Sequence, residues 1–234
     1  MKKKLILLGA VCLLVFTLLI GTYRLMNART FQIFGGLTAA VQTDKKVVAL
    51  TFDDGPTNHV NDILPILKKY DAKATFFLIG NEIEFHLTEA KMLVNEGHQL
   101  GNHTYSHKRM IFKTPAFIKR EIEITNLLIE EAGYKGEIDF RPPNGKKLLG
   151  LPYYLFKHNT DTITWNLEPD SLYTSSTDKI NYVVENVRPG SIILLHPMYD
   201  KSGDELKTVE GILDTLTKDG YQFITVNDLQ KYQN

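Results

Sequence analysis

From Lys46 onward, short apolar segments alternate with amphipathic ones, and this alternation restricts the fold more than any other feature of the chain. Short apolar runs bounded by turn residues predict buried strands, and longer segments with apolar residues three or four apart predict helices. Because strands that alternate with helices form parallel sheets with the helices outside, we predict an α/β protein. About seven strand–helix units without a glycine-rich dinucleotide fingerprint favour a barrel over a doubly wound sheet. The predicted strands are Val47–Phe52, Ala74–Ile79, His98–Asn102, Ile138–Arg141, Thr162–Leu167, Ser191–Leu195 and Gln222–Val226.

Helices are predicted between these strands. Pro115 suits the first turn of a helix that starts after Thr114 and ends near Gly133, because proline lacks the N–H that the first turn leaves unpaired. Gly97 can end a second helix, since glycine tolerates the left-handed conformation that is common at the C-terminus of a helix. The other predicted helices are Val60–Tyr70, Thr88–Asn95, Asp178–Asn186 and Asp204–Lys218.

The N-terminus carries lysines at positions 2 to 4, followed by an apolar run from Leu5 to Gly21. At 1.5 Å per residue this run spans about 25 Å, close to the ~30 Å hydrocarbon core of a bilayer. Flanking lysines favour a cytoplasmic N-terminus. We therefore predict one transmembrane anchor over residues 1–23, a stem over 24–45 and an extracytoplasmic domain over 46–234. The alternative is a cleaved signal peptide, which would make the protein secreted.

Composition limits the partners and the metal ligands. Lys and Arg together number 27, as do Asp and Glu, so the formal net charge is zero and nothing indicates a nucleic-acid partner. Cys12 is the only cysteine, which excludes an intrachain disulfide and a cysteine-based zinc site. Histidines and carboxylates must therefore hold any metal. The sequence gives no sign of an obligate protein partner.

Ionisable residues follow the ends of predicted strands, although the strands themselves are apolar. In parallel barrels the active site lies at these carboxyl ends, so the residues should converge. Chance accounts for one or two such placements but not for a series of them. The residues concerned are Asp53, Asp54, His103, His107, Arg141, Glu168, Asp170 and His196.

His103 and His107 are four residues apart, which on a helical turn places both imidazoles on one side. With Asp54 from a neighbouring strand they make a set of two histidines and one carboxylate. Three protein ligands with one open position is the pattern of a catalytic zinc, although N and O ligands also accept Co²⁺, Mn²⁺ or Fe²⁺. The alternatives are an ordinary turn at Asp53–Asp54 and a surface turn at the histidines. Adjacent strand residues point to opposite sides, so Asp53 and Asp54 need not share one role.

Four ordered motifs of this chain resemble those of the polysaccharide deacetylases, carbohydrate esterase family 4. They are Thr51–Gly55, His103–His107, Arg141–Gly145 and Leu194–His196. The resemblance runs from about residue 46 to the C-terminus. It implies a distorted (β/α) barrel, one divalent metal that is usually Zn²⁺, and hydrolysis of N-acetyl groups on amino-sugar polymers such as peptidoglycan or chitin.

The same resemblance implies roles for the residues of the first two motifs and for the start of the third. Asp54, His103 and His107 would bind the metal. Asp53 would be the general base, and Arg141 would pair with it and hold it. This assignment agrees with the chemistry, because an amide needs a strong nucleophile and a metal lowers the pKa of bound water toward ~7.

The remaining roles concern proton donation and substrate contact. His196 would be the general acid, since an imidazolium can protonate an amine leaving group near neutral pH, and Asp170 would tune it. Pro143, Asn144 and Leu195 would contact the substrate, with the backbone N–H of Asn144 helping to bind the oxyanion. These implications also stand as expectations.

Two positions depart from the usual pattern of the family. Asn144 stands where tyrosine is common, which removes an aromatic sugar contact but keeps the backbone N–H. Ser171 follows Asp170 where tryptophan is common, so one wall of the groove differs. We interpret Trp165 as a core residue because it lies within a predicted strand, and Tyr153–Tyr154 as groove-lining or simply exposed aromatics.

These observations predict a membrane-anchored, metal-dependent enzyme that removes N-acetyl groups from a cell-wall glycan, with peptidoglycan N-acetylglucosamine as the substrate. Chitin-type oligomers and O-acetyl esters are alternative substrates. An inactive glycan-binding module of the same fold is the alternative from another functional class. The intact Asp53, His103, His107 and His196 argue against such a module.

Overall fold

A computed structural model of the chain describes residues 2–232, which form an α/β domain with parallel strands after a long N-terminal helix. The strands are β1 (Leu37–Thr38), β2 (Val47–Asp53), β3 (Ala74–Leu78), β4 (Gln99–Asn102), β5 (Thr162–Ile163), β6 (Ile192–Leu195) and β7 (Gln222–Phe223). The helices are α1 (Lys2–Asn27), α2 (Val60–Lys69), α3 (Gly80–Phe85), α4 (Leu87–Asn95), α5 (Pro115–Glu131), α6 (Gly150–Lys157), α7 (Ser176–Asn186), α8 (Asp204–Lys218) and α9 (Val226–Gln230).

Strand β2 is the centre of the sheet. It pairs in parallel with β3, β6 and β7, and β4 extends the sheet beyond β3. All seven residues of β2 are buried, as expected for a parallel strand covered on both faces. Strands β1 and β5 form a separate parallel pair. Isolated parallel bridges join Asn102 to Phe140, Phe140 to Thr162 and Leu167 to Ile193.

The two faces of β2 contact different parts of the core. Val48, Leu50 and Phe52 pack against helices on one side of the sheet. Ala49 lies in a second cluster on the other side, together with Trp165. Because side chains alternate along a strand, Asp53 shares the side of Ala49 and not that of Phe52.

The predicted strands are confirmed for β2, β3, β4 and β6. The other three predicted strands are longer than the pairing observed in the structure. The strand predicted over Ile138–Arg141 is reduced to bridges at Phe140, because Pro142 lacks the N–H that would continue the pairing. The strand predicted over Thr162–Leu167 is only two residues long, since its later residues change partner from β1 to β6.

The last predicted strand is also too long. Pairing stops at Phe223, and Val226 begins α9 instead of ending a strand. The Thr225 side chain accepts a hydrogen bond from the Asp228 N–H, which is an N-cap that starts a helix. The predicted helices correspond to α2, α4, α5, α7 and α8, whereas α3, α6 and α9 were not predicted.

Helix α1 is the one helix of residues 2–232 that is long and apolar enough to cross a membrane, judged by length and composition. Its end contacts the domain, because the Lys147 N–H donates to the Met26 carbonyl over 3.3 Å. The segment predicted as a stem contributes β1, and Val41 in it is buried in the core. Part of that segment therefore packs on the domain.

Candidate metal centre and catalytic cavity

A polar cavity of about 230 Å³ opens at the carboxyl ends of β2, β4 and β6. Its position follows from the sheet, because parallel strands deliver the residues after their ends to one edge. Residues predicted from separate motifs meet here. They are Asp53, Asp54, His103, His107, Asn144 and His196.

Asp54, His103 and His107 offer ligand atoms that all lie within 4.8 Å of one another. The Asp54 Oδ1 is 3.8 Å from the His103 Nε2 and 3.3 Å from the His107 Nε2. The same Oδ1 is buried and has no hydrogen-bond partner among residues 2–232. An unpaired buried carboxylate oxygen is costly, and a cation would satisfy it.

The tautomer of His103 also suits a metal ligand. Its Nδ1 lies 2.7 Å from the Arg141 carbonyl oxygen. A carbonyl only accepts, so Nδ1 donates and the lone pair is left on Nε2, which faces Asp54. Such orientation of a ligating imidazole through its other nitrogen is a common feature of metal sites. The three residues therefore fit a divalent metal ion.

The backbone around these ligands is held in uncommon conformations. Asp54 has φ 71° and His107 has φ 53°, both in the left-handed region. Gly55 follows with φ 70°, and a Cβ there would lie 2.8 Å from the Met198 Cγ. A glycine is thus required both for conformation and for space. The turn takes Asp54 out of the strand direction that Asp53 keeps.

Asp53 is paired with a buried arginine. The Arg141 Nη1 is 2.6 Å from the Asp53 Oδ1 and also donates to the Thr51 hydroxyl over 2.8 Å. The Arg141 Nη2 donates to the Thr164 carbonyl over 3.1 Å, and the guanidinium lies 4.0 Å from the Phe77 ring centroid. Multiple hydrogen bonds of this kind are needed to bury an arginine, and they fix the position of the carboxylate.

The charge state of Asp53 follows from its neighbours. Burial opposes ionisation, but the charges of Arg141, His103 and His196 outweigh it and hold the pKa of Asp53 below its usual value. Asp53 is therefore a carboxylate. Its Oδ2 is 3.6 Å from the His103 Nε2, so it lies beside the candidate metal ligands.

His196 follows β6 and is bound to a carboxylate. Its Nδ1 donates to the Asp170 Oδ2 over 2.9 Å, and its backbone N–H donates to the same oxygen over 3.0 Å. The Asp170 Oδ1 is 3.0 Å from the Lys179 Nζ, which also pairs with Glu205. This chain of alternating charges holds the imidazole in one orientation at the cavity wall.

The same contacts set the protonation of His196. Burial would lower the pKa of His196, but the hydrogen bond to Asp170 and the charge of Asp53 outweigh it and raise the pKa to about 9. The imidazole is therefore protonated at neutral pH. A protonated imidazole at a cavity wall can donate a proton to a bound molecule.

The predicted substrate-binding residues differ in their placement. Asn144 lines the cavity, with φ 55°, and its Oδ1 accepts a hydrogen bond from the Arg109 Nε over 3.1 Å. Pro143 is buried in the turn below it. Leu195 is buried in the core beside Phe52, and Leu194 lines the cavity instead. Leu195, which was expected to contact the substrate, therefore does not reach the cavity, because strand alternation turns neighbouring residues to opposite faces.

Arg29 and Trp165 also line the cavity, which the sequence did not predict. The Arg29 Nη2 is 2.9 Å from the Glu168 Oε2, and the Trp165 Nε1 donates to the same oxygen over 2.9 Å. Trp165 was predicted as core, and it is buried, yet its ring also borders the cavity. Glu168 and Ser171 were expected there because they follow the predicted fifth strand, whereas nothing in the sequence marks Arg29.

The fold and the cavity define a class of protein. An α/β domain with parallel strands presents a two-histidine, one-carboxylate set beside an ionised carboxylate and a protonated histidine. This combination is typical of hydrolases that use a metal and a pair of proton-transfer groups.

Comparison with known proteins gives the family. Residues 40–160 match the family profile described as polysaccharide deacetylase. The chain is 32% identical over 211 residues to a peptidoglycan-N-acetylglucosamine deacetylase of Bacillus cereus, which covers 86% of this chain and 95% of the relative. It is also 32% identical to the peptidoglycan-N-acetylmuramic acid deacetylase PdaC of Bacillus subtilis, over 82% of this chain and 40% of that relative. The chain belongs to the polysaccharide deacetylase family and is a deacetylase of the hydrolase class.

Solved structures support this membership and add one contrast. A peptidoglycan N-acetylglucosamine deacetylase superposes with a TM-score of 0.78 at 28% identity, over 85% of this chain and 95% of that chain. A Bacillus anthracis protein described as a CE4 family pseudoenzyme superposes with a TM-score of 0.76 at 29% identity, over 86% of this chain and 71% of that chain. The fold is therefore shared by active and inactive proteins, and activity must be argued from the site.

Proposed function

We propose that the chain is a metal-dependent N-deacetylase that releases acetate from N-acetylated sugars of a cell-wall glycan, with peptidoglycan N-acetylglucosamine as its substrate. The observation that carries this proposal is the convergence of Asp54, His103 and His107 around a buried carboxylate oxygen that lacks a partner. The names of the relatives support the choice of glycan, since peptidoglycan deacetylases appear among them repeatedly.

The roles of the residues follow from their positions. A divalent metal, Zn²⁺ or alternatively Co²⁺ or Mn²⁺, held by Asp54, His103 and His107 would polarise the acetyl carbonyl and lower the pKa of water. Asp53, kept ionised by Arg141, accepts the proton of the attacking water. The Asn144 backbone N–H would stabilise the negative charge that develops on the carbonyl oxygen, and the position of Asn144 at the cavity supports this role.

The second half of the reaction needs an acid. Cleavage of the C–N bond leaves an amine that must be protonated, and His196 is a protonated imidazole at the cavity wall. Asp170 holds the His196 Nδ1–H, so the other ring nitrogen is the donor. The proton taken up by Asp53 and the proton given by His196 balance the hydrolysis of one amide to acetate and amine.

Acetate release tests this proposal. The purified full chain, loaded with Zn²⁺, should release acetate from peptidoglycan and, more slowly, from chitin oligomers. Mass spectrometry of muropeptides identifies the sugar, because loss of an acetyl group lowers the mass of either N-acetylglucosamine or N-acetylmuramic acid. Release from O-acetyl esters alone would favour the ester alternative. Glycan binding without any acetate release would indicate an inactive binding module.

We also propose the organisation of the whole chain. Residues 1–23 form a single-pass anchor with the N-terminus in the cytoplasm, 24–45 connect it to the domain, and 46–234 form an extracytoplasmic deacetylase domain. The apolar, exposed surface of α1 supports a membrane span. The bridges at Phe140 and Leu167 support a distorted barrel, because they continue the parallel pairing from β4 round to β6.

A further inference from the structure

Helix α6 is apolar on both sides. Leu151 and Leu155 face the core and are buried. Leu149, Tyr153 and Phe156 are spaced by four and three residues, so they share the opposite side of the turn. Their exposed fractions are 47%, 51% and 52%. A surface helix normally carries polar residues on its outer side, so the domain itself gives no reason for this side to be apolar.

The apolar area continues beyond the helix. Phe112 is 80% exposed and borders the same shallow hollow as Leu149. On the other side the Phe34 ring lies 5.4 Å from the Tyr153 ring. We call the exposed residues Phe112, Leu149, Tyr153 and Phe156 the α6 surface. Contiguous exposed apolar areas of this kind mark sites of contact with a protein or a membrane.

The α6 surface begins close to the point where the end of α1 is hydrogen-bonded to the domain. Lys147 donates its backbone N–H to the Met26 carbonyl over 3.3 Å and its ammonium to the Ala28 carbonyl. Lys146 contacts the Asn27 side chain. Leu149 follows Lys147 by two residues, which is at most ~7 Å of chain. The apolar surface therefore lies beside the helix that the proposed function places in the membrane.

We infer that the α6 surface lies in the interface of the bilayer that α1 crosses. The inference rests on the proposed membrane span. Asn27 lies six residues beyond the apolar run that ends at Gly21, which is about 9 Å of helix and comparable to the depth of a headgroup region. Aromatic side chains are favoured at that depth, and the neighbouring Lys113 and Lys157 favour anionic lipid headgroups.

This contact gives the domain a fixed position. A single helix would leave the domain free to tilt, whereas a second attachment at α6 sets the distance between the cavity and the bilayer. The segment from Arg141 to Lys147 connects the two, because Asn144 lines the cavity and Lys147 binds the end of α1. The cavity is therefore held beside the membrane and accepts glycan that lies close to it.

Fluorescence quenching by spin-labelled lipid tests the contact in the full chain. A bimane label is attached at Tyr153→Cys in a Cys12→Ser background, and the chain is reconstituted in vesicles of phosphatidylcholine and phosphatidylglycerol. Lipids with a nitroxide at a shallow acyl position should quench this label about twofold, as for a side chain buried ~5–10 Å into the interface. Lys68→Cys is the matched control, because its side chain is 77% exposed at the end of α2 that precedes β3. A label there should not be quenched.

Two further measurements separate the possible failures. The native Cys12, the only cysteine, lies in α1 and carries the label for membrane insertion itself. Quenching at Cys12 with no more quenching at position 153 than at position 68 would overturn the α6 contact and leave the anchor intact. Phe156→Glu in the Tyr153→Cys chain should reduce the quenching, and an unchanged signal would also contradict the inference. Acetate release from chitin oligomers by the same variants measures the deacetylase activity independently of the membrane contact.

Discussion

Two imidazoles line one cavity, but the protein treats them in opposite ways. His103 follows β4 and its side chain is only 2% exposed, whereas His196 follows β6 and its side chain is 35% exposed. Burial lowers the pKa of His103, and the charges of Asp53 and Asp54 recover only part of this shift. Burial also opposes the charged form of His196, but the hydrogen bond to Asp170 and the charges of Asp53, Asp170 and Asp54 together outweigh it, and the pKa rises to about 9.

The difference lies in what each Nδ1–H contacts. His103 donates to the Arg141 carbonyl, a neutral acceptor that fixes orientation with little gain for the charged form. His196 donates to the Asp170 carboxylate, which stabilises the imidazolium directly. A neutral imidazole has a free lone pair for a metal, and a charged imidazole has a proton to give. Histidine can therefore serve both as the proposed metal ligand and as the proposed proton donor.

The largest expected effect comes from removing a proposed metal ligand. His103→Ala should remove both the metal and the activity, because two remaining ligands rarely hold a catalytic zinc. Metal content is measured by atomic emission after dialysis, and acetate release by coupled assay. His59→Ala is the matched control, since this histidine is as exposed as His107 but lies outside the cavity, and it should change neither quantity. Full metal content in His103→Ala would exclude the proposed ligand set.

The next prediction separates the adjacent carboxylates. Asp53→Asn should keep the metal and lower kcat by about 10²–10⁴, as for the loss of a general base. Asp54→Asn should lose metal, because Asp54 Oδ1 is the buried oxygen that faces both histidines. Comparing metal content in the two variants decides the roles. Loss of metal from Asp53→Asn alone would reverse them.

His196→Ala tests the proton-donating side. It should retain the metal and lose about 10²–10⁴ in kcat on an N-acetyl amide, whose amine must be protonated as it leaves. On an activated aryl acetate the loss should be much smaller, since that leaving group needs no proton. The ratio of the two losses is the measurement. Equal losses would show that His196 serves binding or structure and not proton donation.

Sequence reasoning was most successful where local pattern and tertiary position agree. The buried strands β2, β3 and β6 are short apolar runs, and the residues after them reach the cavity by the rule for parallel sheets. It failed where pairing depends on distant partners, as at Phe140, which has single bridges on each side and no regular strand. Helix α6 was missed because it is only eight residues long and carries apolar residues on its outer side, which leaves little contrast between its two sides.

The residues of the site were likewise predictable only where a local sequence pattern marks them. The candidate metal ligands could be proposed from sequence because His103 and His107 are four residues apart and Asp54 follows a neighbouring strand. Arg29 was missed because its partner Glu168 is 139 positions further along the chain, and no local sequence pattern marks such a contact. Leu195 was chosen instead of Leu194 because a motif specifies position but not which face of the strand a side chain occupies.

The smallest expected effect is on the pH dependence of kcat/KM, and it tests most directly why His103 and His196 differ. With the His196 pKa at about 9, the acid is protonated at neutral pH, and kcat/KM should fall as pH rises through about 9. Asp170→Asn removes the negative charge that helps to raise this pKa and leaves a neutral, weaker acceptor for the Nδ1–H, while burial, which lowers the pKa, remains. The falling limb should therefore move to lower pH, although the rate well below the limb changes little because the imidazole is still protonated there. A profile of kcat/KM from acidic to alkaline pH measures the shift, and Glu205→Gln is the control, since Glu205 contacts Lys179 and not His196. An unmoved limb in Asp170→Asn would mean that the two imidazoles do not differ for the reason given.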